Sequence, residues 1–164
     1  MQDSSRFETI YLKHYATLLV YGKTMTANEQ LIEDAIQELF LVIWQKGENL
    51  LIKSSFENYL FVAFRNNLIK KIKKQRLSEL NFDLPTEIDE TVSLEETQQL
   101  KDWLEKLPPS QKEVIFLRYY QNKSYLEIAE ILDISYQVAR NFAYRGIKFL
   151  KKNMKRMHSV LLLF

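Results

Sequence analysis

The side chains whose type and spacing indicate a chemistry are concentrated on one predicted helix, from Tyr136 to about Lys152. Six polar or basic residues share one side of it: Gln137, Arg140, Asn141, Tyr144, Arg145 and Lys148. Gln, Asn and Arg can pair bidentately with base edges in the major groove of DNA. The core side is predicted to consist of Val138, Phe142 and Phe149, helped by Ala139 and Leu150. The pattern therefore favours DNA binding over a basic amphipathic helix that merely faces solvent.

A shorter predicted helix comes directly before this one. Residues 124–132 (SYLEIAEIL) start with Ser124 and Glu127 in capping-box spacing, and their apolar side chains recur with helical period. The three residues 133–135 form a turn, and Ser135 can cap the next helix. Asp133 stands where such a turn usually has glycine, and Asp tolerates the left-handed conformation better than most residues. The pair predicts a helix-turn-helix motif.

A second basic segment ends another predicted helix in the N-terminal half. The twelve residues RNNLIKKIKKQR contain no acid and six cations: Arg65, Lys70, Lys71, Lys73, Lys74 and Arg76. Four aromatic residues precede them on the same helix: Phe56, Tyr59, Phe61 and Phe64. Cations would grip the phosphates of a nucleic-acid strand, and aromatic rings would stack on its bases. In the alternative, Phe56, Tyr59 and Phe64 belong to the core and only the Lys run touches phosphate, and we favour this alternative for most of these aromatic residues.

The helix predicted from about Asn28 to Trp44 has an acidic side and surplus apolar residues. Its acidic side contains Glu33, Asp34, Gln37 and Glu38, and all six residues 39–44 are apolar. One core-facing stripe does not need that many apolar residues. A protein-docking surface and a fully buried central helix explain this segment equally well.

Several classes of protein are excluded by what the 164 residues lack. There is no Cys, and the two histidines, His14 and His158, are far apart. Disulfides and Cys-ligated zinc are therefore excluded, and no catalytic residue, metal, cofactor or small-molecule substrate is predicted. No apolar run approaches the ~20 residues of a membrane span, and no signal-peptide core is seen. We expect a soluble, cytoplasmic protein without direct membrane insertion.

Helical patterns dominate the whole chain, and strand signals are nearly absent, so the fold class is predicted to be all-α. A Ser or Thr followed by Glu three residues later, the signature of a helix start, occurs at Ser5, Thr26, Ser54, Ser93, Ser110 and Ser124. Gly47 is predicted to end a helix. Gly146 should make its helix less stable by about 1 kcal/mol than Ala at the same position would.

The charge distribution divides the chain into parts. Lys and Arg outnumber Asp and Glu by 11 to 8 in residues 1–76 and by 12 to 6 in residues 101–164. Residues 77–100 contain seven acids and neither Lys nor Arg. We predict two small helical domains, residues 1–76 and 93–158, joined by an acidic linker at 77–92 and followed by a tail at 159–164.

The order of these motifs resembles the extracytoplasmic-function (ECF) group of bacterial RNA polymerase sigma factors. The segments FETIYLKHYATLL, IEDAIQELFLVIW and ENYLFVAFRNNLIKKIKK resemble sigma region two. The segments LEKLPPSQKEVIFLRYY and SYLEIAEILDIS resemble sigma region four. The resemblance covers most of the chain and implies a protein that binds core RNA polymerase and directs promoter recognition and transcription initiation.

The resemblance also implies roles for particular residues. Core-polymerase binding maps to Glu33, Asp34, Gln37, Glu38 and Phe40. Binding and opening of the −10 promoter element maps to Arg65, Asn66, Lys70, Lys73 and Lys74. Reading of the −35 element maps to Tyr136, Gln137, Arg140, Asn141, Tyr144, Arg145 and Lys148.

Partners follow from the same resemblance: core RNA polymerase, promoter DNA and an anti-sigma factor. The acidic linker either threads the polymerase channel later filled by RNA or is an ordinary solvated connector, and both alternatives stay open. A DNA-binding regulator with an N-terminal dimerisation or effector lobe is the competing class. Such a regulator needs neither the basic helix at 65–76 nor the acidic docking helix.

Overall fold

The computed structural model describes residues 4–47, 50, 52, 55–79 and 102–161, with side chains described between 7 and 77 and between 102 and 153. The chain divides into two units, Met1–Leu84 and Pro85–Phe164, each described here by itself. Within the described ranges all regular secondary structure is helical, which confirms the predicted all-α fold with two helical domains. None of the helices in these ranges combines the length and apolar character needed to cross a membrane.

The first unit consists of three helices, α1 (Ser4–Lys23), α2 (Glu29–Lys46) and α3 (Phe56–Glu79). Their core side chains recur with helical period, and the following are at most 4% exposed: Leu18, Tyr21, Ile32, Ala35, Ile36, Leu39, Phe40, Leu60, Phe61, Phe64 and Leu68. Tyr21 of α1 packs edge-on against Phe61 of α3, with ring centroids 5.2 Å apart. All three helices therefore bury one stripe in a common core, as their periodicity predicted.

α2 begins close to Asn28, as predicted, but its N-cap residue differs from the one that the capping-box spacing indicated. Asn28, not Thr26, is the N-cap, and its Oδ1 accepts a hydrogen bond from the Leu31 N–H at 3.2 Å. Thr26 Oγ1 accepts from the Asn28 N–H instead and so supports the cap residue. Because Asn and Thr are both good caps, spacing alone did not separate them. The predicted stop at Gly47 is confirmed by its C-cap position and positive φ of 48°.

Other predicted helix starts have mixed outcomes. At Ser124 both halves of the capping box form, which confirms that start. At Ser110 the prediction was wrong, because the helix already begins at Pro109 and has Pro108 as its N-cap. The side chain of Ser5 and the whole of Ser54 and Ser93 lie outside the described residues.

The second unit is built from α4 (Pro109–Ile115), α5 (Tyr125–Leu132) and α6 (Tyr136–Leu161), after a helical turn at residues 102–105. A π-helical stretch, Phe116–Tyr120, continues α4. The turn between α5 and α6 has the predicted three residues, and Asp133 adopts the left-handed conformation with φ 54° and ψ 51°. The helix-turn-helix prediction is thereby confirmed, although α6 runs nine residues beyond the predicted end at Lys152.

The buried stripe of α6 differs from the prediction. Its buried residues are Ala139, Ala143, Gly146, Leu150 and Asn153, whereas Val138, Phe142 and Phe149 are only half-buried. Small side chains occupy the seam because α4 approaches closely: a Cβ on Gly146 would lie 2.6 Å from Ile115 Cδ1. Gly146 was predicted only to weaken the helix. The structure shows that it also allows Ile115 of α4 to pack closely against α6.

Gly146→Ala should leave the free energy of unfolding of this unit within about 1 kcal/mol of its original value, because the gain in helix propensity is offset by the cost of displacing Ile115 Cδ1, the end of a flexible side chain. Ile115→Val removes the clashing Cδ1 and leaves Ile115 Cγ1, at 3.4 Å, as the next atom. The double variant should therefore recover at least about 1 kcal/mol relative to the sum of the single effects. Denaturant unfolding of the four proteins measures this coupling, and strict additivity would contradict the packing account.

Candidate nucleic-acid and protein interfaces

The seven residues predicted to read DNA lie together on the exposed side of α6. Gln137 Nε2 donates to Asn141 Oδ1 at 3.1 Å. The Arg140 guanidinium lies 5.8 Å from the Tyr136 ring centroid, and Lys148 Nζ lies 5.7 Å from that of Tyr144. Each contact joins residues one helical turn apart, so the face presents ordered polar groups rather than independent side chains. Its full exposure suits insertion into a groove about the width of a helix.

A cavity of about 430 Å³ opens beside this face. Its walls combine aromatic, aliphatic and cationic side chains: Tyr119, Tyr125, Arg140, Ala143, Tyr144, Ile147, Lys148 and Lys151. Burial and the adjacent Tyr125 raise the pKa of Tyr119 above its usual value. The sequence analysis did not identify Tyr119 and Tyr125 as site residues. Nothing in their spacing indicated that they lie beside α6. The cavity brings them next to the reading face.

The acidic side of α2 lies at the surface, together with part of its surplus apolar sequence. Gln37 and Glu38 are exposed, and Asp34 is half-buried with its Oδ1 accepting from Gln30 Nε2 at 2.9 Å. One turn further on, Leu41 and Val42 are 55% and 38% exposed. The fully buried alternative for this helix is therefore wrong. The candidate docking surface, defined as Glu33, Asp34, Gln37, Glu38, Leu41 and Val42, joins acids to exposed apolar groups.

Phe40, assigned by resemblance to polymerase binding, does not lie on the docking surface. It is 2% exposed, because its ring packs against Tyr11 and Phe7 with centroid distances of 4.9 and 6.1 Å. Residue 40 is about 60° around the helix from residue 37, on the side that α1 covers. Phe40 is therefore a core residue that packs α2 against α1.

The basic residues of α3 have two different surroundings. Asn66, Lys70, Lys73 and Lys74 are exposed, and Arg65 is half-buried. Lys71 instead turns towards α2, with its Nζ 2.6 Å from Glu38 Oε1. Of the three aromatic residues predicted to belong to the core, Phe64 is buried, whereas Phe56 and Tyr59 are half-buried; Phe61 is buried as well. The exposed cations and Asn66 remain in position to meet a nucleic-acid strand.

His14 and the acidic side chains of the described residues do not form a metal site. In the part of the chain that the structure describes, no group of three or more His, Cys, Asp or Glu is placed to hold a metal ion. His14 packs against the Phe56 ring at 6.0 Å, and burial lowers its pKa below the usual value for histidine. This histidine thus belongs to the packing between α1 and α3.

Two family models match the chain, and their order is that of the motifs. Sigma-70 region 2 matches residues 10–77, and sigma-70 region 4 matches residues 97–150. The chain belongs to the sigma-70 family. The region 2 match covers the docking surface and the basic side of α3, neither of which the competing regulator class requires. The region 4 match covers most of the helix-turn-helix.

Curated relatives confirm the ECF identification. The chain is 25% identical to RNA polymerase sigma factor SigZ of Bacillus subtilis over 150 residues, which span 88% of this chain and 85% of SigZ. It is 26% identical to ECF RNA polymerase sigma factor SigW of the same organism over 148 residues, spanning 80% and 79% of the two chains. The protein is accordingly a sigma factor of the ECF type.

Solved structures share the fold. RpoE of Bartonella quintana, in complex with the anti-sigma factor NepR, matches with a TM-score of 0.72 at 20% identity, covering 92% of this chain and 97% of that one. CnrH, in complex with the cytosolic domain of CnrY, matches with a TM-score of 0.65 at 19% identity, covering 94% and 90%. These matches extend over both helical units.

Proposed function

We propose that this ECF sigma factor binds core RNA polymerase through the docking surface of α2 and brings it to promoters whose −10 and −35 elements contact α3 and α6. Residues 1–76 would serve core and −10 binding, and residues 93–158 would serve −35 binding. The protein performs no chemistry of its own. Its place is the cytoplasm, where core polymerase and DNA are found.

The observation that carries the proposal is the exposed face of α6 inside the region 4 match. Arg140, Gln137 and Asn141 lie within two turns of one another on that face. Arg pairs bidentately with guanine, and Asn or Gln pairs with adenine. Lys151 and Lys152 follow them on the exposed side and suit phosphate contacts, which position a protein without reading sequence.

Opening of the −10 element is assigned to the exposed side of α3. Lys70, Lys73 and Lys74 can hold phosphates of a separated strand, while Asn66 is the polar group available for a base edge. Because Phe61 and Phe64 are buried, this side offers charge and amide groups rather than a row of stacking rings. We therefore expect strand capture here to depend strongly on salt.

An anti-sigma factor is proposed as a further partner. The two solved relatives named above are complexes with an anti-sigma factor or with a cytosolic partner domain. In this chain the docking surface and the reading face of α6 combine exposed apolar or aromatic groups with charge. A regulator that covers either one would prevent initiation.

Footprinting of the assembled polymerase tests the assignment of the two elements. Hydroxyl-radical cleavage should show protection near −35, and permanganate should modify unpaired thymines near −10. Holoenzyme carrying alanine at Lys70, Lys73 and Lys74 should keep the first signal and lose most of the second. Loss of the −35 protection in that variant, with melting retained, would contradict the assignment.

Arg140→Ala is expected to reduce discrimination between the preferred −35 element and a single-base variant by about 1–3 kcal/mol, the value of one bidentate base contact. The measurement is competition between the two promoters for the same holoenzyme. Lys152→Ala is the matched control, since loss of a phosphate contact should weaken both promoters equally and lower the salt dependence of binding. Unchanged discrimination in Arg140→Ala would remove that residue from the reading face.

A further inference from the structure

Polar contacts join α2 to α3 along one side of their apolar interface. Near the start of α2, Asn28 Nδ2 donates to Gln75 Oε1 at 3.3 Å. Further along, Asn67 Nδ2 donates to Glu38 Oε2 at 2.9 Å and lies 3.4 Å from the Ala35 carbonyl oxygen. Since residues rising along α2 meet residues falling along α3, the two helices are antiparallel. We call the contacts among Glu38, Asn67 and Lys71 the latch.

Both carboxylate oxygens of Glu38 take part in the latch. Oε1 accepts from Lys71 Nζ at 2.6 Å, and Oε2 accepts from Asn67 Nδ2. These hydrogen bonds, that from Lys71 first, hold the pKa of Glu38 below its usual value. Charge-assisted bonds of this kind are stronger and shorter than neutral ones.

Asp34, one turn earlier on α2, has a different environment. Its Oδ1 accepts from Gln30 Nε2, a residue of the same helix. A contact within one helix does not constrain the neighbouring helix, whereas the contacts of Glu38 cross to α3. The two acids, grouped together by their spacing in the sequence, therefore have separate tasks.

The latch is next to the residues of α3 proposed to contact DNA. Asn67 and Lys71 directly follow Asn66 and Lys70, and adjacent residues on a helix point about 100° apart. Holding Asn67 and Lys71 towards α2 therefore directs Asn66 and Lys70 away from it, where both are exposed. Rotation of α3 about its axis would move all four side chains together.

We propose that Glu38 is a positioning residue, whose carboxylate acts through Asn67 and Lys71 to fix the rotation of α3, and is not a polymerase contact. The latch makes the docking helix and the strand-binding helix one rigid pair. This inference rests on the proposed function, and it reassigns Glu38 within it. Core binding remains with Asp34 and the other residues of the docking surface.

Charge reversal on each side of the latch separates the two roles of Glu38. Lys71→Glu leaves the acids of α2 untouched, yet it should lower amide-exchange protection of α3 and the open-complex yield at saturating core polymerase by about 3- to 10-fold. Glu38→Lys should have the same two effects, and by loosening the pairing of α2 with α3 it should also lower core affinity. In the double variant, Glu38→Lys with Lys71→Glu, the pair forms again, and protection, open-complex yield and core affinity should return to within about 2-fold of the original protein.

Asp34→Lys is the matched control, because it also reverses an acid of α2 but has no partner on α3. Adding Lys71→Glu to it should restore nothing. The inference is overturned if Lys71→Glu alone has no effect, or if core affinity stays lost in the Glu38→Lys, Lys71→Glu double variant. If Asp34→Lys keeps full core affinity, the proposed docking surface fails instead, and amide exchange in the charge-swapped protein still decides the latch.

Discussion

Asp34→Arg is expected to weaken binding to core RNA polymerase by about 2–3 kcal/mol, roughly 30- to 150-fold in Kd, while the contacts of α6 with DNA stay intact. The arginine would bring a like charge to a surface whose partner must be basic if the acids of α2 dock on it. Asp34 is half-buried, and among the described residues its side chain bonds to Gln30 of its own helix, so the fold should tolerate the change. Competition between labelled and unlabelled protein for core polymerase measures the affinity.

Glu8→Arg is a suitable control for this experiment. Glu8 is an exposed acid of α1 in the same unit, so the variant changes net charge equally without touching the docking surface. Equal weakening by both variants would show that only overall charge matters, and that outcome would contradict the assignment of α2.

Phe64→Ala should unfold the first unit at room temperature and leave the second unit folded. Phe64 is fully buried and packs near Tyr21 with ring centroids 6.0 Å apart. Truncating such a ring costs about 3–5 kcal/mol. A single core of fewer than ~80 residues supplies about the same amount in total. Amide spectra should lose the dispersed signals of α1–α3 and keep those of α4–α6.

Phe56→Ala gives the comparison for this variant. Phe56 lies on the same helix but is half-buried, so a loss of about 1–2 kcal/mol is expected and the unit should stay folded. If Phe64→Ala unfolded both units together, the two would not be independently stable. Persistence of a fully folded first unit would mean that its core tolerates the cavity.

Sequence periodicity predicted the elements well wherever a helix packs on one side only. The extent of α2 and its acidic side were recognised from spacing alone, and the Ser124 capping box is a local pattern that needs no tertiary information. In α6, Ala139 and Leu150 are buried as predicted, but the large residues Val138, Phe142 and Phe149 were also expected to be buried and are only half-buried. The close approach of Ile115 selects Ala143 and Gly146 instead. The hydrophobic periodicity of a helix does not show which other helix packs against it or how closely.

The candidate interfaces show the same limit. All seven predicted reading residues of α6 are exposed, because polar side chains opposite an apolar stripe face solvent. Glu38 was grouped with Asp34 by spacing on one helix, and Phe40 was added to them by the family resemblance. Their separate surroundings come from α3 and α1, through Lys71 in one case and Tyr11 in the other. Contacts between helices distant in sequence therefore determine both environments.

Transcription in a purified system tests the central claim most directly. Core RNA polymerase is incubated with fragments of genomic DNA, with and without this protein, and the 5′ ends of the transcripts are mapped. We predict start sites that appear only with the protein and share sequence elements near −10 and −35, and Asp34→Arg should abolish them. Tight binding of the protein to duplex DNA without any association with core polymerase, or transcripts whose start sites do not depend on it, would contradict the account.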